Sequence, residues 1–297
     1  MTSDLISYVP LTATRLRFKW RISMGNVGIT LSTSDPAGAN MLERFRDMGF
    51  SETGKPDVLK LDEMFLIIIE PLIVPEERYK VPKEPDPYPV DYDALAGAYE
   101  LDYIVVASRH ASRSGKPSLT VHPTGNFGKA VYGGRPRELQ WTVANPMRDV
   151  FLELLEEPPK GYDIALEATH HSPTQFETPM FFAELGSSKR QWRDESTARY
   201  LTEAIVNGIK ARGEAPVAIG FGGGHYCPTF SVMERETAFG HIAAKHSLDL
   251  LTPELISQMV EKTKEGVERA IFDKGLKGHQ RKKVEVNLKK LGLEYGT

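Results

Sequence analysis

Two uninterrupted apolar runs constrain the fold of this chain more than any other feature of its sequence. They lie at residues 64–69 (MFLIII) and 103–107 (YIVVA). A run without polar alternation predicts a strand that is buried on both faces, as in a parallel sheet covered by helices. Shorter apolar segments predict further strands at 27–31, 118–121, 162–168 and 216–221.

Helical patterns alternate with these strands. Ser34-Asp35-Pro36 offers an N-cap followed by proline at the first helical position, and apolar residues then recur at helical spacing up to Gly49. Comparable patterns predict helices at 145–156, from 194 to just before 213, at 233–246 and from 253 onward. The alternation predicts an α/β protein with a mainly parallel sheet that is covered on both faces.

The chain organisation follows from length and from proline content. A chain of 297 residues, 40% of them hydrophobic, can form one large domain with a sizeable core. We predict a single domain over 26–297, with a proline-rich inserted loop at about 70–92 and an N-terminal arm or extension at 1–25.

Charge and cysteine content exclude several classes of protein. The formal charge of −3 is unlike that of a protein that coats nucleic acid nonspecifically, so any nucleic-acid contact must come from a local patch. The single cysteine, Cys227, forms no internal disulfide, which favours a reducing, cytoplasmic location. No apolar run reaches the length of about 20 residues that a membrane-spanning helix needs.

Dense polar groups follow four of the apolar segments, at residues 32–35, 108–110, 169–171 and 222–225. Ligands of open α/β sheets bind at the carboxyl ends of the strands. We therefore expect His110, His170 or His171, and His225 around one cleft at the carboxyl edge of the sheet.

The residue types in these groups suit ester or amide hydrolysis. His170 or His171 can activate water as a base or bind zinc, and the backbone N–H groups of the glycines at 222–224 can hold an oxyanion. The sequence lacks the spacing of a His-Glu-x-x-His or Cys-x-x-Cys motif. A zinc site would have to be assembled from separate strand ends, so the spacing alone leaves zinc open.

Two basic stretches indicate an anionic polymer as a partner. Residues 103–137 contain six lysines and arginines and no acidic residue, and residues 274–290 contain seven against one glutamate. Such residues, interspersed with small hydrogen-bond donors, suit contacts to a nucleic-acid backbone. The second stretch is equally consistent with a solvated helix face.

Four motifs in this order resemble the D-aminoacyl-tRNA deacylases of the archaeal and plant type. They are SDPAGAN at 34–40, ASRHAS at 107–112 with PSLTVHPTGNF at 117–127, EATHHSPT at 167–174, and GGGHY at 222–226. The resemblance runs from about residue 27 to the C-terminus. It implies a cytoplasmic carboxylic ester hydrolase that releases the D-amino acid and tRNA. It also implies zinc, and a three-layer α/β/α fold similar to phosphorylases and peptidyl-tRNA hydrolases.

On these motifs we assign roles to individual residues. The predicted catalytic residues are His170, His171, Gly223 and Gly224, and the predicted zinc ligands are Glu167, His110, His170 and His225. The predicted substrate-binding residues are Ser34, Asp35, Asn40, Arg109, Ser112, Arg113, Lys116, His122, Asn126 and Tyr226. The RNA is expected on the 103–137 stretch, with 274–290 as a further candidate, and a monomer is favoured.

Two other classes of function stay open at this point. A zinc-dependent exopeptidase or amidohydrolase would use the same pocket but would not need the basic stretch at 103–137. A non-catalytic RNA-binding module would need the basic stretches but not the histidines. The sequence leaves undecided which histidine acts as the base.

Overall fold

A computed structural model describes residues 25–70, 90–276 and 278–297. The predicted N-terminal arm, apart from residue 25, and most of the predicted inserted loop lie outside these residues. The proposed division into domains therefore stays a prediction. Among the described residues, no helix is long and apolar enough to cross a bilayer.

The main sheet has eight strands in the order β2-β3-β4-β1-β5-β8-β6-β7. The strands are β1 (Asn26–Leu31), β2 (Ser51–Glu52), β3 (Val58–Leu61), β4 (Met64–Ile68), β5 (Leu101–Ala111), β6 (Ser118–His122), β7 (Asp163–Leu166) and β8 (Met180–Ser187). The pairs β1/β4, β1/β5, β5/β8 and β6/β7 are parallel, whereas β6 is antiparallel to β8 and β3 is antiparallel to β2 and β4.

A second sheet of four parallel strands has the order β10-β9-β11-β12. Its strands are β9 (Val217–Phe221), β10 (Ala238–Ala243), β11 (Arg269–Phe272) and β12 (Glu294–Gly296). The helices are α1 (Pro36–Asp47), α2 (Tyr92–Tyr99), α3 (Ala144–Glu153), α4 (Lys189–Trp192), α5 (Glu195–Ala211), α6 (Pro228–Met233), α7 (Pro253–Glu261) and α8 (Gly278–Lys290), with a 3₁₀ helix at Lys245–Leu250.

The predicted mixed α/β fold with a mainly parallel sheet is confirmed, but one local prediction is wrong. The segment predicted as a helix at 233–246 contains strand β10, because its fully buried residues pair with β9. The strand predicted at 216–221 forms, yet it belongs to the second sheet. The sequence analysis also missed the central strand β8, because Glu184 and Gly186 interrupt its apolar pattern.

The register of the central strands places a polar patch on one face of the main sheet. Glu184 in β8 lies opposite Ser108 in β5 and Thr120 in β6, and the next same-face position of β5 is His110. Because side chains alternate along a strand, these side chains point to the same face. The intervening residues of the same strands, such as Ala107 and Leu185, belong to the core that includes α1, α3 and α5.

Helices α3 and α5 approach each other closely at Gly208. A Cβ atom on Gly208 would lie 2.6 Å from both the Cα and the backbone nitrogen of Val150 in α3. Backbone atoms cannot move aside as a flexible side chain can, so the glycine is required for this packing.

We predict that Gly208→Ala lowers the free energy of unfolding by about 1–3 kcal/mol, because overpacking outweighs the better helix propensity of alanine. The matched control is Gly97→Ala in α2, where a Cβ would have no atom within 4 Å. The control should raise stability by up to about 1 kcal/mol. Chemical denaturation measures both changes, and equal effects of the two substitutions would contradict the packing argument.

Candidate functional site

A fully buried carboxylate, that of Glu167, lies at the centre of the candidate site. Its Oε1 is 3.6 Å from Nδ1 of His110 and 3.6 Å from Nε2 of His225. Its Oε2 is 3.7 Å from Nε2 of His122 and 3.8 Å from Nε2 of His170. Within the described part of the chain, neither oxygen of Glu167 has a hydrogen-bond partner. We call these five residues the Glu167 cluster.

The segment after β7 brings this cluster together by joining the two sheets. Ala168 N donates to the carbonyl of His225 at 2.8 Å, and Thr169 N donates to the carbonyl of Ile242 at 3.0 Å. His225, which follows β9 of the second sheet, is thereby held next to Glu167, which follows β7 of the main sheet.

The position of the cluster differs from the expected carboxyl edge. His110 lies near the carboxyl end of β5, and His122 ends β6, which runs antiparallel to the β5/β8 pair. The two histidines therefore come from strands of opposite direction. The cluster lies on one face of the main sheet, where the second sheet meets it, because β6 and β7 reverse the strand direction.

Glu184 is a functional candidate that the sequence analysis missed. Ser108 Oγ donates to its Oε1 at 2.9 Å, and His110 Nδ1 lies 3.3 Å from its Oε2. His110 Nε2 is in turn 3.2 Å from the hydroxyl of Tyr226. The sequence signal for this residue is an acidic side chain within the otherwise apolar run of 180–185. A charged residue is unusual in a buried strand unless it has a partner.

Backbone carbonyls hold the Nδ1 atoms of three histidines. The Nδ1 atoms of His170, His171 and His122 lie 2.8, 2.5 and 3.3 Å from the carbonyl oxygens of Ala168, Ser172 and Pro123. A carbonyl only accepts, so each Nδ1 carries a proton and donates it, and in the neutral rings of His170 and His171 Nε2 keeps its lone pair. This is the arrangement of metal-binding histidines, whose second nitrogen is held by a backbone carbonyl.

Burial and mutual repulsion keep part of the cluster neutral. Burial and the nearby rings lower the pKa of His170 well below its usual value, and the same causes lower those of His171 and His225 to about 4. These three rings are therefore uncharged near pH 7 and can bind a cation.

The pKa values of the two carboxyl groups and of the other two histidine rings shift for different reasons. Burial raises the pKa of Glu167. Burial also opposes ionisation of Glu184, but His110 and His122 lower its pKa well below the usual value. Although burial lowers the pKa values of His110 and His122, the hydrogen bond and charge of Glu184 outweigh it and raise both.

The cluster can hold a metal ion. Potential ligand atoms lie within 4.8 Å of one another in three groups, which are Glu167 with His170 and His225, His122 with His170 and His171, and His110 with Glu167 and Glu184. A buried carboxylate without a hydrogen-bond donor is costly unless a cation neutralises it. Imidazole and carboxylate donors suit zinc and similar divalent metals. The predicted ligands Glu167, His110, His170 and His225 thus lie together, and His122, predicted to bind substrate, lies among them.

Three predicted substrate-binding residues make hydrogen bonds within the protein. Asn40 donates to the carbonyls of Trp192 and Asp194, both at 3.2 Å, and Asn126 donates to the carbonyls of Gly133 and Arg135 at 2.9 and 3.2 Å. Asp35 caps α1 and also accepts from Arg109 N at 2.9 Å. These residues hold loops and helix ends.

The remaining predicted residues divide between the site and the surface. The hydroxyl of Tyr226 contacts His110 and lies 3.3 Å from Ser112 Oγ, so both residues border the cluster. Arg113 is exposed, Lys116 is paired with Asp163, and the Arg109 guanidinium stacks on the Trp192 ring. Gly223 and Gly224, which directly precede His225, border a cavity on the second sheet.

Comparisons with known proteins identify the family. The family model tRNA_deacylase, described as D-aminoacyl-tRNA deacylase, matches residues 98–296. A protein of Ignicoccus hospitalis named D-aminoacyl-tRNA deacylase is 41% identical over 212 residues, which are 70% of this chain and 84% of that protein. One of the same name from Thermococcus onnurineus is 34% identical over 284 residues, 90% of this chain and 98% of that protein.

A solved structure shares the fold. It is described as a conserved protein of unknown function, AF0625, and it superposes with a TM-score of 0.79 at 28% identity over 92% of this chain and 95% of that one. The fold is thus an α/β architecture already seen in an experimental structure. The chain belongs to the D-aminoacyl-tRNA deacylase family, as its sequence motifs predicted.

Ser34, the last of the predicted substrate-binding residues, belongs to a turn that is held by Glu70. Oε1 of Glu70 accepts from Thr33 N at 2.5 Å and from Ser34 N at 3.1 Å, and Oε2 accepts from Ser32 Oγ at 2.8 Å. Although partial burial opposes ionisation, these hydrogen bonds lower the pKa of Glu70 to about 2.

We predict that Glu70 makes stability depend on pH in the acid range. A carboxyl with a lowered folded-state pKa stabilises the fold above its unfolded pKa of about 4.5, and this contribution is lost as pH falls toward 2. Glu70→Gln should therefore lower the urea midpoint at pH 7, and the difference from the parent should shrink at pH 3. The control is Glu63→Gln, because Glu63 is an exposed acidic residue that directly precedes β4. If the urea midpoint of Glu70→Gln were below that of the parent by the same amount at pH 7 and pH 3, this would contradict the proposed role of Glu70.

Proposed function

We propose that this chain hydrolyses the ester bond of D-aminoacyl-tRNA and releases the free D-amino acid and tRNA. The observation that carries the proposal is the Glu167 cluster, a buried carboxylate surrounded by histidines, in a chain of this family. The relatives named above are D-aminoacyl-tRNA deacylases, which supports the substrate class.

We further propose zinc as the metal. Glu167, His170 and His225 would hold it, with His122 nearby as a further donor. A bound zinc ion lowers the pKa of a coordinated water from 15.7 to about 7. The unpartnered oxygens of Glu167 and the Nδ1 contacts of the histidines support this assignment, because both leave electron pairs directed at the cluster.

The side chains around the cluster have distinct proposed tasks. His171, whose Nε2 lone pair is free near pH 7, takes the proton of the attacking water as that water adds to the ester carbonyl. The ester C–O bond then breaks, and the proton passes to the departing ribose oxygen. Backbone N–H groups of Gly223 and Gly224 are the proposed donors to the oxyanion.

Glu184 and His110 have a positioning role in this proposal. Glu184 fixes His110 through Nδ1, and His110 in turn fixes the hydroxyl of Tyr226 at the edge of the cluster. Tyr226 is 39% exposed, so its ring can contact the substrate.

The tRNA-binding surface is proposed from the basic stretches. Arg113 in the first stretch is exposed next to Ser112 and therefore near Tyr226. Exposed lysines on α8 extend the surface from the second stretch, namely Lys282, Lys283, Lys289 and Lys290. A buried, unpaired Cys227 fits a reducing, cytoplasmic location, and the monomer stays a prediction.

We predict that exhaustive chelation abolishes deacylation of D-charged tRNA and that added zinc restores it. His170→Ala should lower the turnover number by at least about 100-fold, because the cluster loses a proposed zinc ligand, while tRNA binding persists. Deacylation assays on D- and L-charged tRNA, with binding measured in parallel, check both results. Full activity in protein shown by elemental analysis to hold no metal would contradict the zinc proposal. Cleavage of peptides or amides instead of the ester would favour the exopeptidase or amidohydrolase reading.

We also predict that Arg113 contacts an RNA phosphate. Removing one phosphate contact lowers the slope of log affinity against log salt by about 0.7–0.9, so Arg113→Ala should show this change without loss of stability. Lys116→Ala should change the slope less, because Lys116 is paired with Asp163. The control Lys60→Ala, on strand β3, should match the parent. Binding titrations at several salt concentrations test this, and an unchanged slope for Arg113→Ala would place the RNA elsewhere.

A further inference from the structure

A second cavity, of about 490 Å³, lies outside the Glu167 cluster. Its lining residues are Gly223, Gly224, Lys245, His246, Asp273 and Gly275. They follow β9, β10 and β11, three neighbouring parallel strands of the second sheet. The carboxyl ends of parallel strands are where α/β sheets bind ligands, and the volume falls in the range of small-molecule sites.

Asp273 presents a fixed carboxylate to this cavity. Its Oδ2 accepts from Thr229 Oγ1 at 2.6 Å, and its Oδ1 accepts from Gly275 N at 2.8 Å. Each carboxylate oxygen can accept a second hydrogen bond. An acidic side chain at the end of a parallel strand, beside a glycine turn, is the arrangement that binds a ribose hydroxyl in nucleotide-binding sheets.

The opposite wall suits a phosphate. Gly222 and Gly223 have φ values of 111° and 72°, and a Cβ on Gly224 would meet no atom within 4 Å, so the backbone here is open to a ligand. Lys245 and His246 are exposed at the start of the 3₁₀ helix that follows β10, and Lys245 N donates to the carbonyl of Gly223 at 3.0 Å. Exposed lysine side chains are common contacts of nucleic-acid phosphates.

The cavity adjoins the Glu167 cluster along the chain. Gly224 lines the cavity, and the next residue, His225, lies 3.6 Å from Glu167. On the other side, Lys274 follows Asp273 in the sequence, and the basic stretch continues with the exposed lysines of α8. A nucleotide in the cavity would therefore lie beside the cluster.

We propose that this cavity binds the 3′-terminal nucleotide of the tRNA, with Lys245 and His246 on its phosphate and Asp273 on the free ribose hydroxyl. The proposal rests on the proposed function, since the esterified ribose must then lie beside the Glu167 cluster.

The first experiment compares two substrates in steady-state kinetics of the metal-loaded protein. One is D-aminoacyl-tRNA, and the other is 2′(3′)-O-D-aminoacyl adenosine, which has the ribose but no phosphate. Lys245→Ala should raise KM for the tRNA about tenfold, with kcat within about twofold, and should leave the adenosine ester unaffected; tenfold corresponds to about 1.4 kcal/mol. Asp273→Asn should raise KM for both substrates, because both contain the ribose hydroxyl. Lys60→Ala, remote in sequence on β3, is the matched lysine control.

The second experiment needs no turnover. Adenosine 5′-monophosphate, a mimic of the terminal nucleotide, is titrated into the parent and the variants by calorimetry. Weaker binding by Lys245→Ala and by Asp273→Asn supports the proposal, and binding unchanged by Lys245→Ala overturns it. An equal loss on both kinetic substrates for Lys245→Ala also overturns it. If the parent hydrolyses no D-aminoacyl-tRNA, the proposed function fails, and this titration alone decides what the cavity binds.

Discussion

The buried carboxylate of Glu167 is the constraint on which the arrangement of the site depends. A fully buried carboxylate without a hydrogen-bond donor is costly, and here four histidine rings from four chain segments approach it within 3.8 Å. A stable fold with such a group needs a cation at its centre or a proton on the carboxyl. The raised pKa of Glu167 and the low pKa values of His170 and His225 are two consequences of the same burial.

The two sheets supply different parts of the site. The main sheet supplies His110, His122 and Glu184 from rigid strands, which fixes their positions through the ladder of backbone hydrogen bonds. The second sheet supplies His225 and, at its carboxyl edge, the cavity that ends in Asp273. The residues of the cluster therefore come from both sheets, and the cavity lies at the carboxyl edge of the second sheet. Backbone contacts at Ala168 and Thr169 hold the two parts in register.

Residues near the site differ in what they can contribute to function. Asp35 and Asn126 are buried and Asn40 is partly buried, and all three make hydrogen bonds within the protein. Their replacement would therefore affect the fold before it affects chemistry. Tyr226 and Ser112 are different, because they border the cluster and remain accessible. A polar residue in a motif is thus informative about function only when its hydrogen-bonding partners are known.

Local chain properties determined much of this protein from the sequence alone. Continuous apolar runs specify buried strands whatever their partners, and the Asp35-Pro36 and Thr252-Pro253 pairs specify helix starts, so the α/β class and several elements were predictable. The histidines of the cluster were also recognisable, because they follow apolar strands.

Only the tertiary structure decided which strands pair and in which direction. The antiparallel β6/β8 pair moved the site from a carboxyl edge to a sheet face, and it placed Glu184 opposite Ser108. No local pattern marks strand direction, because parallel and antiparallel strands bury similar side chains. The role of Glu184 and the separation of the second sheet therefore depend on contacts between residues far apart in the chain, which the order of residues alone does not reveal.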